Sequence, residues 1–407
     1  MRHRTRRVAL CGFCLLCVAF VAGCVAGLGG SQGLGTRQAT SEPTVLSAEQ
    51  RVLLERRTRR ETELLAQPQT AESAAELALL HHPAVERALE TLDMPGFDRL
   101  LLAHTANPAF NGGRLPSSMD TRIEHSLSVN LMTWVSVPAL AEGYAADQRA
   151  PRVQAADELV AMLFAARRAW VYAVASRQSV GYLEDVLAAA EAGRDIMENM
   201  RQIGNSTELE FLRAQAVYAD AIAHLTAAQV AAAVEKERLV QAMGLWGEEA
   251  DRVQLPERLP DLPRMALDSG SLEARAVAQR FDVRAGRLEG LAGEAGVNAR
   301  ADVRSAWVAY RGAYDLAEHA QQAIVPLAQR VSAEQLKLYN GMLIGVLDLI
   351  SDAIERTNAV SAALDAQRDF WLAEIELQRA MSGVGVSART LPGAPSTFRP
   401  GAAYHVH

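Results

Sequence analysis

Cys24 has the clearest covalent chemistry in this sequence, because its thiol stands in a frame that predicts lipid attachment. It follows a basic segment (2–7), an apolar run (8–21) and two small residues (22–23). This order is typical of a secretory signal peptide, and the run is shorter than the ~20 apolar residues of a membrane-spanning helix. Branched residue, small residue, Gly and Cys form a bacterial lipobox. We expect removal of 1–23 and lipidation of Cys24. The alternative is an ordinary signal peptide, or an uncleaved anchor, with an incidental cysteine.

The other three cysteines, Cys11, Cys14 and Cys17, lie inside the signal peptide and would leave with it. They therefore predict neither a metal site nor a redox site in the mature chain. Residue 25 is Val, whereas Asp at this position favours retention at the inner membrane in enterobacterial sorting. We expect a lipid-anchored protein of the cell outer membrane that faces the periplasm.

Histidines offer little further chemistry. His405 and His407 lie two residues apart near the end of the sequence, where a solvated tail is the simpler interpretation than weak metal binding. His81 and His82 are adjacent and so point to different faces of a helix. The sequence also lacks the motifs typical of metalloproteases, serine hydrolases and phosphate-binding loops. We expect no enzyme activity, no cofactor and no metal site.

The composition favours long helices and excludes some partners. The 407 residues include 41 basic and 48 acidic side chains, for a formal net charge of −7, and no segment concentrates positive charge. Nucleic acid is therefore an unsuitable partner. Alanine and other helix formers fill long stretches while aromatic residues are scarce. We predict a mainly α fold of long antiparallel coiled-coil-like helices in two repeats, with a small β-hairpin region.

Breaks in composition and periodicity divide the chain into segments. The predicted organisation is a signal peptide (1–23), a flexible tether (24–47), N-terminal helices (48–104), a reduced β region (105–137), a first helical repeat (138–245), a Pro-rich linker (246–270), a second helical repeat (271–385) and a disordered tail (386–407).

The clearest strand signal covers 119–137, where apolar residues at odd positions alternate with polar residues at even positions for most of the span. Such alternation indicates a strand with one apolar face and one polar face. A strand of a membrane barrel has this pattern, and a long strand in a soluble sheet has it too.

An internal repeat relates the two helical segments. Trp170 and Trp307 stand at the same place in two similar stretches, 137 residues apart, and the predicted turns at Gly204 and Gly341 are also 137 apart. A related apolar patch follows each turn with a slip of one residue. A repeat of paired helices indicates two similar helical hairpins.

The chain resembles the TolC-like outer-membrane efflux factor family over about residues 70–385. The matching features share order as well as type, and they lie at 78–85 (an opening helix motif), 107–108 and 136–143 (the entry from strand to helix), 255–263 (a Leu-Pro linker), 280–284 (an Arg-x-Asp motif) and 337–353 (a periplasmic turn). The lipobox fits as well, since many members are lipoproteins.

The resemblance implies a function without bond chemistry. It implies a homotrimer in which each protomer gives strands to one barrel and paired helices to a periplasmic tunnel. The tunnel would dock on a periplasmic adaptor protein and an inner-membrane pump, and would conduct small molecules or metal ions. Asp348 and Asp352, just past the second turn, would form a tunnel constriction that attracts cations. The alternative for both carboxylates is a solvated helix face.

One departure from the family leaves a second interpretation open. In the first half Trp170 lies 87 positions after Pro83. In the second half the equivalent Trp307 lies only 26 positions after Phe281. The second β-hairpin therefore has no counterpart in this sequence. Two strands from each of three protomers would give six, whereas small membrane barrels have about eight. Either the oligomer is larger than a trimer, or the helical rod lies beneath the membrane and is held there by its lipid alone. The alternative function is that of a lipid-anchored, non-channel periplasmic helical protein derived from the same fold.

Overall fold

The structure is a computed structural model that describes residues 48–93, 146–267, 269–288 and 292–383. These residues contain helices and connecting turns and no strand. The signal peptide, Cys24, the tether, the predicted strand at 119–137 and the C-terminal tail with His405 and His407 lie outside the described residues. The predictions for those segments therefore stay predictions.

The first half of the described chain contains six helices. They are α1 (Ala48–Leu65), α2 (Ala71–His81), α3 (Pro83–Thr91), α4 (Ala146–Gln202), α5 (Glu208–Met243) and α6 (Glu248–Asp251). Local sequence sets several boundaries. Thr70 and Ser73 cap the start of α2 reciprocally, each side-chain oxygen accepting the other residue's amide. His82 ends α2 and starts α3, where its Nδ1 accepts the amide of Ala84 at 3.2 Å.

The second half repeats this plan. Its helices are α7 (Leu272–Gln279), α8 (Phe281–Leu288), α9 (Ala292–His319), α10 (Val325–Asn340) and α11 (Val346–Ser382), and a π-helical turn (Ala320–Ile324) joins α9 to α10. Three residues, 289–291, separate α8 from α9. A membrane-spanning strand alone needs ~9–11 residues, so a second β-hairpin does not fit at this point of the chain.

Two long hairpins form the body of the protein. Helix α4 packs along α5, and the α9–α10 rod packs along α11, while α4 also contacts α11. Helix α4 has 57 residues, which at 1.5 Å per residue makes it about 85 Å long. The predicted fold of long antiparallel helices in two repeats is confirmed for the described residues.

The Pro-rich linker binds both hairpins near their bases. Arg177 of α4 donates to the carbonyl of Leu255 at 2.5 Å. Gln367 and Trp371 of α11 both donate to the carbonyl of Pro260, at 2.8 and 3.1 Å. Since a linker carbonyl buried without a donor would cost free energy, these bonds fix the path of the linker across the two hairpins.

Each tryptophan of the repeat fastens its hairpin to a neighbouring segment. The indole of Trp170 donates to the carbonyl of Gln69 at 2.7 Å, just before α2. The indole of Trp307 donates to the carbonyl of Leu267 at 3.3 Å, just before α7. The two halves therefore share a contact as well as a sequence pattern.

A left-handed glycine ends each returning helix at an equivalent place. Gly244 follows α5 with φ of 72°, and Gly383 follows α11 with φ of 78°. A Cβ at Gly244 would lie 2.7 Å from the Cα of His82, between α2 and α3. A Cβ at Gly383 would lie 2.4 Å from the Oδ1 of Asp282 in α8 and 3.0 Å from the Cβ of Arg280, which separates α7 from α8. Both positions need glycine for backbone conformation and for space.

Candidate functional site at the hairpins and their tips

The first tip joins α4 to α5 through a tight helix end. The amide of Gly204 donates to the carbonyl of Arg201 at 3.0 Å, and the amide of Asn205 donates to that of Met200 at 2.8 Å. Gly204 has φ of 78°. This pair of bonds with a left-handed residue is the Schellman ending of a helix. Gly204 thus occupies the turn that the sequence predicts.

The start of α5 is capped at the same tip. The amide of Thr207 donates to Glu210 Oε2 at 2.7 Å, and the amide of Glu210 donates to Thr207 Oγ1 at 3.3 Å. Hydrogen bonds from Thr207 lower the pKa of the Glu210 carboxyl below its ordinary value. The cap therefore favours the ionised form of Glu210, next to the positive end of the helix dipole.

The second tip repeats the first with other residues. The amide of Met342 donates to the carbonyl of Tyr339, and the amide of Leu343 donates to that of Leu338, both at 2.9 Å. The left-handed residue is Met342, with φ of 56°, whereas Gly341 before it has φ of −82°. The predicted turn is present, but Gly341 is not the structural counterpart of Gly204.

Asp348 and Asp352 occupy different environments. Asp348 is exposed, and its Oδ2 accepts the amide of Gly345 at 2.9 Å, so it caps the start of α11. Asp352 is one turn further along and only 7% exposed. In a single chain, therefore, the carboxylate of Asp348 is exposed to solvent and that of Asp352 is buried.

Arginine side chains cross the first hairpin close to its tip. Arg201 of α4 donates to both oxygens of Glu198, at 2.8 and 2.9 Å, and lies 5.1 Å from the ring centre of Phe211 of α5. Arg194 of α4 lies 4.3 Å from the ring of Tyr218 of α5. Hydrogen bonding from Arg201 lowers the pKa of the Glu198 carboxyl. These exposed contacts hold the helices in register near the tip.

Both tips expose apolar side chains. Ile203, Leu209 and Leu212 are exposed at the first tip, and Met342 and Leu343 at the second, where Met342 is 94% exposed. A cluster of exposed apolar side chains on a folded surface is typical of an interaction site. The tips are therefore suited to contact another protein.

The long helices also leave apolar surface uncovered. Helices α4 and α5 are long and apolar enough to cross a membrane by length and composition alone. In their most apolar stretches 56% of α4 is buried within the chain, but only 6% of α5. Exposed apolar residues also lie along α10; they include Leu327, Val331 and Leu336. Among the described residues, apolar side chains on α5 and on α10 therefore remain exposed, so each hairpin has some uncovered apolar surface.

No protein-family model matches the chain, and no curated protein matches it. Several solved structures do. The outer membrane protein VceC from Vibrio cholerae matches with a TM-score of 0.53 and 13% identity, over 77% of this chain and 96% of that chain. The CmeC outer membrane channel of Campylobacter jejuni matches with a TM-score of 0.53 and 10% identity, over 77% and 85%. The outer-membrane channel OprN matches with a TM-score of 0.53 and 15% identity, over 79% and 91%.

These similarities confirm the TolC-like fold that the sequence motifs predict. The matches extend over most of both chains, although the identities are too low to show more than the fold. The matched proteins are described as outer membrane proteins and channels.

Proposed function

We propose that the protein is a passive export duct, the outer-membrane component of a tripartite efflux system for small molecules or metal ions. The observation that carries the proposal is the pair of long hairpins in the fold of outer-membrane channels, with apolar helix faces left open by a single chain. The energy for export would come from a pump, since no group in the duct needs to make or break a bond.

A homotrimer would cover the open faces. Helix α5 keeps most of its apolar surface outside the chain, and burial of apolar surface contributes about 25 cal/mol per Å². Copies of the hairpins side by side would bury these faces and close a tunnel. The mass of the protein in detergent, measured by light scattering, tests this: a monomer at working concentration would contradict the trimer.

The tips would dock on a periplasmic adaptor protein beneath the duct and, through it or beside it, on an inner-membrane pump. Support comes from the apolar residues at both tips, such as Ile203 and Leu343. Polar replacement of both residues should weaken adaptor binding without changing the trimer. Polar replacement of exposed Leu267, near the hairpin bases, is the matched control.

Lipid on Cys24 would anchor the protein at the outer membrane on its periplasmic side. The lipobox frame supports this proposal. Cys24→Ser should abolish labelling by radioactive palmitate and release the protein from the membrane fraction. Unchanged labelling would remove the lipid anchor from the proposal but leave the duct in place.

A lipid-anchored, non-channel periplasmic protein is the second candidate, and one observation favours it. Only three residues separate α8 from α9, so no strand of a barrel fits between these two helices. Conductance decides between the two functions. Purified protein in a planar lipid bilayer should carry current if it is a duct, and preparations of an unrelated lipoprotein serve as the control. Absence of current from trimeric protein would favour the second candidate.

If the segment 119–137 crosses the membrane, its odd positions should face lipid and its even positions water. Single cysteines at Leu127 and Ser128 test this in intact outer membranes. A membrane-impermeant thiol reagent should label position 128 and spare 127. Equal labelling at the two positions would place this segment outside the bilayer.

A further inference from the structure

Three side chains from separate elements meet at the junction where α2 ends. They are Glu61 of α1, His81 at the end of α2 and Glu249 of α6, and one ligand atom from each lies within 4.8 Å of the others. Glu61 and His81 are largely buried, and Glu249 is partly exposed. None of the long-hairpin contacts described above involves these three residues.

The distances do not suit direct hydrogen bonds. His81 Nε2 lies 3.5 Å from Glu61 Oε2, and His81 Nδ1 lies 3.8 Å from Glu249 Oε2. Nε2 is buried and has no hydrogen-bond partner among the described residues, although buried polar atoms are nearly always paired. With metal–ligand bonds of about 2.1 Å, two ligand atoms of a tetrahedral ion lie about 3.4 Å apart. The separation of Nε2 from Glu61 is close to that value. One ion binds only one ring nitrogen, so with Nε2 as the ligand the Glu249 carboxylate, whose 3.8 Å contact is with Nδ1, must turn toward Nε2 to complete the site.

The charges favour a cation at this place. Two carboxylates, from Glu61 and Glu249, face the single ring of His81. Burial lowers the pKa of the His81 imidazole, with Glu61 and Glu249 opposing this effect and Arg57 adding to it. The guanidinium of Arg57 donates to the carbonyl of Leu80.

We propose that Glu61, His81 and Glu249 bind one divalent transition-metal ion of the Zn²⁺ type, which clips α1 to the body of the protein. One imidazole and two carboxylates are a donor set that suits such ions, with water as a fourth ligand. Helix α1 contributes buried Leu65 to the core that includes α2, and Arg60 of α1 donates to Glu76 of α2 at 2.6 and 2.9 Å. A metal would add a strong link between α1 and the region where α2 and α6 meet.

Zinc titration of the full chain in detergent, after treatment with a chelator, tests the proposal. Calorimetry should show one tightly bound Zn²⁺ per chain. Glu61→Gln and His81→Gln should each weaken binding at least about tenfold, as loss of a ligand removes a metal–protein bond. His224→Gln is the matched control, because His224 is exposed on α5. Replacement of both His405 and His407 by Gln controls for binding by the tail.

A second measurement keeps the proposal testable if a buried substitution harms folding. Glu249 is 36% exposed, so Glu249→Gln should leave the helix content unchanged while it weakens binding. Zn²⁺ should also slow hydrogen exchange in α1 of the natural protein and not in Glu249→Gln. The proposal would be overturned if each of the three ligand variants bound zinc as tightly as the natural protein. It would also be overturned if only replacement of the tail histidines weakened zinc binding. Absence of a bound ion in the natural protein would overturn it too.

Discussion

Gly204 and Met342 hold the same position in the two hairpin turns, because each has a left-handed backbone and donates its amide to the carbonyl three residues earlier. They lie 138 residues apart, whereas Trp170 and Trp307 lie 137 apart. The second repeat therefore gains one residue between its tryptophan and its turn. The π-helical turn Ala320–Ile324 lies in that interval, and such a turn accommodates one extra residue within an α-helix.

The π-helical turn also explains how a proline stands inside a long rod. Pro326 lies in the first turn of α10, directly after the π-helical segment. Proline lacks an amide and crowds the carbonyl four residues back in a regular helix. Because the amide of Val325 already donates to the carbonyl of Ala320, five residues back, the helix is wider at the point where the proline follows. The slip of one residue in the sequence repeat thus has a structural cause.

Met342→Gly should stabilise the second tip. Met342 has φ of 56° and a side chain almost free of contacts, so glycine relieves a backbone cost of about 1 kcal/mol without loss of packing. Gly204→Ala should destabilise the first tip by a similar amount. Chemical unfolding measures both changes.

Gly341→Ala is the matched control for this pair, because Gly341 has negative φ and a Cβ there would make ordinary contacts of 3.4 Å or more. We expect its effect on the free energy of unfolding to be below about 0.5 kcal/mol. A larger loss from Gly341→Ala than from Gly204→Ala would contradict the equivalence of Gly204 and Met342.

Gly383→Ala should lower the free energy of unfolding more than Gly204→Ala does. Its methyl group would meet Asp282, which pairs at 2.7 Å with the fully buried guanidinium of Arg280. Loss of one partner of a buried ion pair costs about 3–5 kcal/mol. Asp302 at 3.1 Å remains as a second partner for Arg280, so we expect a loss of about 2–4 kcal/mol.

Gly193→Ala provides the comparison for Gly383→Ala. Gly193 lies inside α4, and a Cβ there would meet nothing within 4 Å. This change should stabilise the protein by about 0.5–1 kcal/mol. If both variants unfold at the same denaturant concentration, the contact between Gly383 and the Arg280–Asp282 pair has no energetic importance.

The sequence predicts the hairpins well because helical periodicity and the repeat of Trp170 and Trp307 are local signals. It does not predict Met342 as the left-handed residue, because adjacent Gly341 is the better candidate by residue type. Glu61, His81 and Glu249 come from three elements, and only the packing of α1 and α6 on the end of α2 brings them together. Asp348 and Asp352 share a helix face by spacing, yet the burial of Asp352 depends on its neighbours in the fold.

The metal-free protein should lose stability as pH falls below the ordinary His pKa of about 6.5. Burial lowers the pKa of His81 in the folded chain, so the unfolded chain binds the proton more readily. The stability that depends on neutral His81 is therefore fully present above the His81 pKa of the unfolded chain. It is lost as the pH falls from there towards the lower His81 pKa of the folded chain. Unfolding from pH 7 to pH 5, with a chelator present, measures the slope.

His81→Gln should flatten this part of the pH profile, because it removes the group whose pKa burial lowers. A profile that is equally steep in His81→Gln would assign the pH dependence to other groups.

Asp348 should set the cation preference of the duct if the protein conducts. Asp348→Asn removes the charge but keeps an oxygen that can accept the amide of Gly345, as Asp348 does at 2.9 Å. We therefore expect a reduced cation preference in the reversal potential across a salt gradient, with little change in stability. Asp348→Ala should reduce the preference equally and also cost about 0.5–1 kcal/mol through loss of the cap. Asp352→Asn is the control, since the side chain is buried and should affect stability rather than selectivity. Conductance with an unaltered cation preference in Asp348→Asn would show that Asp348 is a capping residue on a solvated helix face.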